Sequence, residues 1–179
     1  MAECVAITGT GIVTALGAGS QTNWDAQRSG TTGIRPLTRL SRDKYITQVG
    51  AEVSAEVIDA MRRDVSIPDL SRGYLMALWV ATQALADHAV NPEDTAFILS
   101  TTKADFEEFE QTLDKNMAKS HRRFNPGTMA HDIASHLQIR GPAFAVSNAC
   151  ASGIIAIIQG ARLLQRQKVK HVLVVGVDL

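Results

Sequence analysis

The sequence of 179 residues lacks most features that mark exported, metal-binding or nucleic-acid-binding proteins. Its two cysteines, Cys4 and Cys150, are too few and too far apart for a disulfide framework or a metal-site motif. The 18 basic and 18 acidic side chains cancel, so no net charge draws the whole chain to nucleic acid or to an anionic membrane. We therefore expect no nucleic-acid partner and no metal.

Long apolar runs are also lacking, and none approaches the roughly 20 residues that cross a bilayer. The first residues, MAECVAITG, lack the basic start and the apolar core of a signal peptide. We therefore expect no membrane span and a cytoplasmic location, where thiols stay reduced. Because 45% of the residues are hydrophobic, the length suits one domain over residues 1–179.

Short apolar runs alternate with helical patterns along the chain. They predict strands at 4–8, 95–101, 143–147 and 171–177, and a weaker strand at 47–53. Helices are predicted at 22–29, 71–89, 104–118, 128–138 and 151–166. The first helix has Thr22 or Asn23 as its candidate N-cap and Gly30 beyond its end. Since each strand is a continuous apolar run, the pattern predicts an α/β fold with a mostly parallel sheet covered by helices.

Gly9 and Gly11 follow the first predicted strand, as glycines do in dinucleotide-binding motifs. That motif needs a glycine or alanine at its sixth position, where this sequence has Thr14. We therefore favour a glycine turn that leaves a buried strand, with Cys4 as a core residue of that strand.

Histidines and basic residues in the middle of the chain also have functional interpretations. His131 and His136 would lie about 140° apart on a helix, too far round for joint metal ligation. The basic segment 119–123 (KSHRR) is either a solvated loop or a docking patch for an acidic protein or a phosphate.

The segment AVSNACASG, residues 145–153, is the most informative part of the sequence. An apolar strand leads directly to Cys150, and three small residues then lead into an apolar helix. A thiol at a helix N-terminus lies near unpaired N–H groups and the positive end of the dipole, which stabilise the reactive thiolate. The backbone N–H of Cys150 could then donate to an oxyanion. From these residues alone, a catalytic cysteine and a packed core cysteine both remain open.

Several segments resemble the β-ketoacyl synthases of the thiolase superfamily, especially the elongating 3-oxoacyl-[acyl-carrier-protein] synthases. They occur in the family's order and are VAITGTGIVTALG (5–17), NWDAQRSGTTGI (23–34), SRGYLMALWVATQALADHAV (71–90), IRGPAFAVSNACASG (139–153) and HVLVVGVDL (171–179). The resemblance covers essentially the whole chain and is weakest at 35–69 and 101–123. Residues 100–106 and Asn148 depart from the family's usual pattern.

The resemblance implies a condensing acyltransferase of fatty acid or polyketide synthesis with Cys150 as nucleophile. An acyl carrier protein would deliver the acyl chain on phosphopantetheine, and a malonyl unit on the same type of carrier would be decarboxylated and condensed with it. Phe124 is our candidate residue for lining the acyl pocket. The resemblance implies no metal or redox cofactor, and a homodimer or heterodimer formed through strand 143–147.

Family members are more than twice as long, and their second half carries two histidines, a lysine and a phenylalanine loop that assist the reaction. We therefore expect this chain to be the N-terminal half of a thiolase-like fold, without the half's last strand, and to be inactive alone. The alternatives are a non-catalytic partner of the chain-length-factor type or an inactive fragment. Cleavage with coenzyme A, as in thiolases, fits the motifs less well.

Overall fold

The computed structural model describes residues 4–39, 46–86, 88–107 and 125–178. The strands are β1 (Val13–Thr14), β2 (Gly17–Ala18), β3 (Arg35–Pro36), β4 (Val49–Gly50), β5 (Thr95–Ser100), β6 (Ala143–Val146) and β7 (His171–Gly176). The α-helices are α1 (Ser20–Arg28), α2 (Ala55–Val65), α3 (Arg72–Leu85), α4 (Pro126–His136) and α5 (Ser152–Gln165).

The main sheet consists of three parallel strands in the order β6-β5-β7, which confirms the predicted parallel sheet. Phe97 at the centre of β5 lies opposite Ala143 of β6 and Leu173 of β7. All six residues of β5 are buried, because helices cover both of its faces. The short pairs β1-β2 and β3-β4 are antiparallel and separate from this sheet.

Helices form a layer on each side of the sheet. On one face, α3 and α4 pack against alternate residues of β5 and β7 in the main core, which includes Phe97, Leu99, Leu173 and Val175. On the opposite face, Gly160 of α5 contacts Val172 and Val174 of β7. Alternate side chains of β7 therefore face opposite sides of the sheet. Val172 and Val174 face α5, whereas Leu173 and Val175 face the main core with α3, which gives an α/β/α arrangement.

Capping residues set the starts of α3 and α4. The Ser71 hydroxyl accepts the N–H of Tyr74 at 3.4 Å, and the Asn125 side chain accepts the N–H of Gly127 at 2.9 Å. Such caps satisfy N–H groups that have no partner inside the helix. Helix α4 therefore starts at Pro126, two residues before the predicted 128. At its other end, α3 stops at Leu85, four residues before the predicted 89.

The prediction of a buried strand at 4–8 was wrong. These residues form no strand, and Ile7 is 83% exposed. The segment instead continues across α3, where His88 Nε2 lies 2.6 Å from the carbonyl oxygen of Thr8. A Cβ on Gly9 would lie 2.0 Å from the Ala84 carbonyl oxygen, so this glycine is required by close packing against a helix.

Cys4 is therefore exposed rather than part of the core, contrary to the prediction. The second glycine, Gly11, makes the same kind of approach, with its would-be Cβ 2.2 Å from the Val80 carbonyl oxygen. The glycine turn after a buried strand that we predicted is therefore not found at 4–11; the two glycines instead allow close packing of an extended segment against α3.

The region between 20 and 69 differs in detail from the prediction. Helix α1 begins at Ser20 with Gly19 as its N-cap, because Asn23 instead donates to the carbonyl oxygens of Gly17 and Gly19. Gly30 lies beyond the helix end, as predicted. The predicted strand at 47–53 is reduced to β4, and α2 was not predicted.

A groove of about 1810 Å³ separates residues 4–16 from β7 and α5. Within the described residues, β7 pairs only with β5, so its other edge faces this groove. The predicted helix 104–118 lies mostly outside the described residues, although 106 and 107 are helical. In the part of the chain that the structure describes, we find no helix with the length and apolarity needed to cross a membrane.

Candidate active site at Cys150

Cys150 lies in the turn that joins β6 to α5, as the sequence predicts. Strand β6 ends at Val146, and α5 begins at Ser152. The side chain of Cys150 is exposed at this turn. The structure therefore presents the thiol at the carboxyl edge of a parallel sheet, where α/β proteins commonly place their ligands.

Two consecutive backbone hydrogen bonds tighten the turn. The N–H of Ala151 donates to the Asn148 carbonyl at 3.0 Å, and the N–H of Ser152 donates to the Ala149 carbonyl at 3.1 Å. Ala149 has a φ of 46°, in the left-handed region that side chains other than glycine disfavour. The residue directly before Cys150 is thus held in an uncommon conformation, of the kind that often occurs at functional sites.

The start of α5 brings the positive end of a helix dipole next to the turn that carries Cys150. The helix has 14 residues, and no acidic residue lies in its first turn to neutralise the positive end of its dipole. Its N-cap, Ala151, makes no side-chain capping hydrogen bond. Negative charge that develops on a substrate oxygen held beside this turn is therefore favoured.

Other segments meet at the same edge of the sheet. The N–H of Thr101, after β5, donates to the carbonyl of Val146 at 3.2 Å. Asp178, after β7, accepts hydrogen bonds from Thr101 and Thr102. Within the segment 100–106, which departs from the family's pattern, residues 101–105 therefore form a hydrogen-bonded loop beside the end of β6. Its Thr101 and Asp105 are buried.

The other residues singled out in the sequence either lie outside the described residues or make contacts elsewhere. Phe124 and the basic segment 119–123 lie outside the described residues. His136 contacts the ring of Tyr74 in an edge-to-face geometry with the ring centroids 5.9 Å apart, and His131 is exposed. Among the described residues, no group of three or more His, Cys, Asp or Glu side chains could hold a metal.

Sequence reasoning missed the role of Ser152. Its hydroxyl accepts the N–H of Asn148 and donates to the carbonyl of Ala149, each at 2.7 Å. Serine at a helix start is a known signal for a local side-chain-to-backbone hydrogen bond. The sequence does not show that the hydroxyl bonds to residues 148 and 149, which precede it in the turn, rather than to residues further along the helix.

Comparisons with known proteins show the family to which this chain belongs. The family model described as "Beta-ketoacyl synthase, N-terminal domain" matches residues 2–179. The chain belongs to the β-ketoacyl synthase family. Its match to a putative polyketide β-ketoacyl synthase 1 of Streptomyces cyaneus is 28% identical over 177 residues, covering 88% of this chain and 42% of the relative.

A second relative is the 3-oxoacyl-[acyl-carrier-protein] synthase 2 of Coxiella burnetii, 24% identical, with 98% of this chain and 45% of the relative covered. This ketosynthase chain therefore spans less than half the length of these relatives. The solved structure of the ishigamide ketosynthase/chain length factor matches with a TM-score of 0.73 at 24% identity, covering 91% of this chain and 44% of that one. The thiolase-like fold of ketosynthases is thereby confirmed.

Proposed function

We propose that this chain supplies the acyl-accepting part of a condensing acyltransferase, with Cys150 as the nucleophile. The observation that carries the proposal is the exposed Cys150 thiol at the turn before the positive end of α5. Membership of the β-ketoacyl synthase family supports the same reaction class. Exposure of the thiol does not by itself distinguish Cys150 as the nucleophile, because Cys4 is exposed as well.

The first chemical step is acyl transfer. The Cys150 thiolate attacks the carbonyl carbon of an acyl thioester on the phosphopantetheine arm of an acyl carrier protein. The backbone N–H of Cys150 stabilises the oxyanion of the tetrahedral intermediate. The carbon–sulfur bond to the arm then breaks, the arm leaves as a thiol after taking up a proton, and the acyl chain remains on Cys150.

The second step forms a carbon–carbon bond. A malonyl group on a carrier protein loses carbon dioxide, and the electron pair that is released attacks the acyl carbonyl on Cys150. The cysteine leaves as a thiolate, and the 3-oxoacyl product stays on the carrier. Because decarboxylation supplies the electron pair, the reaction needs no redox cofactor. The groups that assist decarboxylation would come from sequence beyond these 179 residues, as the resemblance implies.

The outer edge of β6 is our proposed dimer surface. In the described residues β6 pairs only with β5, and all four of its residues, Ala143–Val146, are half-buried. An apolar edge of this kind can pair with an equivalent or similar strand across a two-fold axis. The proposal covers a homodimer and a heterodimer alike, and the basic segment 119–123 is our candidate surface for docking the carrier protein.

A non-catalytic partner of the chain-length-factor type is the alternative function. Such partners usually replace the nucleophile, whereas this chain retains Cys150 in a turn that exposes its thiol. The two functions make opposite predictions for acyl transfer, so one experiment separates them.

The test is acyl loading from an acyl carrier protein thioester. The inactivity that we expect of the chain alone concerns condensation, so acyl loading is tested separately. We expect the acyl mass to appear on the Cys150 peptide of the unmodified chain and of the Cys4→Ala variant, and to be absent from Cys150→Ala. Intact acyl carrier protein with a medium-length acyl chain is the donor, and the free thiol form is the control. Absence of acyl transfer in all three proteins would favour the non-catalytic partner.

A further inference from the structure

We propose that Ser152 is a positioning residue that fixes the turn presenting Cys150. The inference rests on the proposed function of Cys150. The Ser152 hydroxyl accepts the N–H of Asn148 and donates to the carbonyl of Ala149, both at 2.7 Å. One bond is made to Asn148 and the other to Ala149, the two residues that precede Cys150. Together they constrain the backbone immediately before the nucleophile.

The constraint matters because Ala149 has a φ of 46°. Alanine populates this left-handed region poorly, so the surroundings must hold it there. Ala149 is adjacent to Cys150 in the chain, and its backbone angles therefore set the direction of the Cys150 N–H and thiol relative to α5. Loss of the constraint would let the turn relax and move the thiol away from the helix N-terminus.

Burial strengthens the constraint. Ser152 is only 3% exposed, so water has little access to replace its hydroxyl. The Ala149 carbonyl also accepts the N–H of Ser152 at 3.1 Å, whereas the Asn148 N–H relies on the Ser152 hydroxyl. Removing the hydroxyl would take away the Ser152 partner of the Asn148 N–H at the base of the turn, which favours a different turn conformation.

The bonds of Ser152 differ from those of an ordinary helix cap. A capping serine precedes the first helical residue and accepts an N–H from two or three residues further along. Ser152 is instead the first residue of α5, and its hydroxyl bonds run back to residues 148 and 149. Its hydroxyl therefore serves the turn that carries Cys150 rather than the helix that follows.

Alkylation by iodoacetamide measures the effect without requiring condensation. The rate at Cys150 is compared with the rate at Cys4 in the same molecule by peptide mapping, so that Cys4 is an internal reference. We expect Ser152→Ala to lower the Cys150 rate at least about fivefold while the Cys4 rate stays unchanged. Ser152→Thr, which keeps a hydroxyl at the same position, should recover most of the rate. Ser135→Ala on the exposed side of α4 is the matched serine control.

A second variant tests the physical cause. Glycine tolerates a positive φ, so Ala149→Gly added to Ser152→Ala should restore the Cys150 rate to within about twofold of the unmodified chain. If circular dichroism shows that Ser152→Ala does not fold, the double variant alone provides the test. Recovery of its Cys150 alkylation rate supports the inference, and a Cys150 rate equal to the Cys4 rate overturns it.

The failures of the two proposals are distinguishable. A Cys150 rate that exceeds the Cys4 rate in the unmodified chain and is unaffected by Ser152→Ala overturns the role of Ser152 alone. A Cys150 rate no higher than the Cys4 rate in the unmodified chain overturns the proposed function, and the role of Ser152 with it.

Discussion

The carboxylate of Asp178 accepts both the backbone N–H and the hydroxyl of Thr102, each at 2.8 Å. This contact joins the segment after β7 to the loop after β5. The neighbouring Thr101 N–H donates to Val146 at the end of β6, so hydrogen bonds link the carboxyl ends of all three parallel strands where the segment leading to Cys150 begins.

Replacing Asp178 by alanine should loosen the loop at 101–104. The variant removes three hydrogen bonds from one carboxylate oxygen, and amide exchange in this loop should accelerate by about tenfold. Hydrogen–deuterium exchange with peptide-level mass spectrometry measures this. Asp59→Ala, an exposed position on α2, is the control and should leave the loop unchanged. Equal protection in both variants would show that the carboxylate does not hold the loop.

Acid should loosen the contact between Glu52 and the chain at 38–39. Hydrogen bonds from the Thr38 hydroxyl, the Thr38 N–H and the Arg39 N–H hold the pKa of Glu52 below its ordinary value of 4.5. A lowered folded-state pKa gives stabilisation that is complete above about pH 4.5 and is lost as the pH falls through the folded-state value.

Exchange at residues 37–39, corrected for the intrinsic pH dependence, should therefore rise as the pH falls from 6 to 3. Glu52→Gln should exchange faster at pH 6 and respond less to acid, because its side chain cannot titrate. A corrected rate that is independent of pH in the unmodified chain would contradict the assignment.

The 179-residue chain should associate with itself. Ile154 and Ile157 of α5 are 67% and 57% exposed, and β7 has an unpaired edge within the described residues. Burying one such side chain gains about 1.5–3 kcal/mol, and an open strand edge promotes pairing between chains. Ile154→Gln with Ile157→Gln should shift light scattering toward the monomer without loss of helix content.

Ala156 on the buried side of α5 gives the matched control, because Ala156→Gln should destabilise the chain rather than dissociate it. A monodisperse, cooperatively melting monomer of the unmodified chain would contradict this prediction.

Condensation should be absent from the isolated chain. The resemblance places the groups that assist decarboxylation beyond these 179 residues, and removal of even one oxyanion donor typically costs roughly 10²–10³ in rate. Product analysis with acyl and malonyl carrier thioesters measures this. Formation of 3-oxoacyl product at a rate near that of a full-length ketosynthase, with Cys150→Ala as the blank, would contradict it.

The central sheet and the position of Cys150 could be predicted from sequence because their patterns are strong. Strands β5, β6 and β7 are continuous apolar runs, and buried parallel strands have that signature. In the sequence, an apolar strand pattern is followed by small residues and then by an apolar helix pattern. This order predicts that Cys150 lies at a strand-to-helix turn. The closing bonds of that turn depend on how the Ser152 side chain is oriented, which no sequence pattern specifies.

The conformation of the segment 4–8 could not be predicted from its apolar residues alone, because an apolar run indicates only that burial is favoured. A strand also needs a neighbour with free hydrogen-bonding groups, and none of the described strands pairs with this segment. Helix α2 did carry a signal that we overlooked. Its apolar residues Val57, Ile58, Met61 and Val65 repeat at helical spacing and pack on or into the core, and Ser54 caps its start.

The most direct test of Cys150 as the acyl-accepting nucleophile is labelling with an electrophilic acyl mimic of the cerulenin type, followed by peptide mapping. Cys4 and Cys150 are both exposed, so accessibility does not explain a preference between them. We predict that the label appears on Cys150 first, that Cys4→Ala retains it, and that Cys150→Ala loses it. Equal labelling of the two cysteines, or a preference for Cys4, would contradict the assignment of Cys150 as the nucleophile.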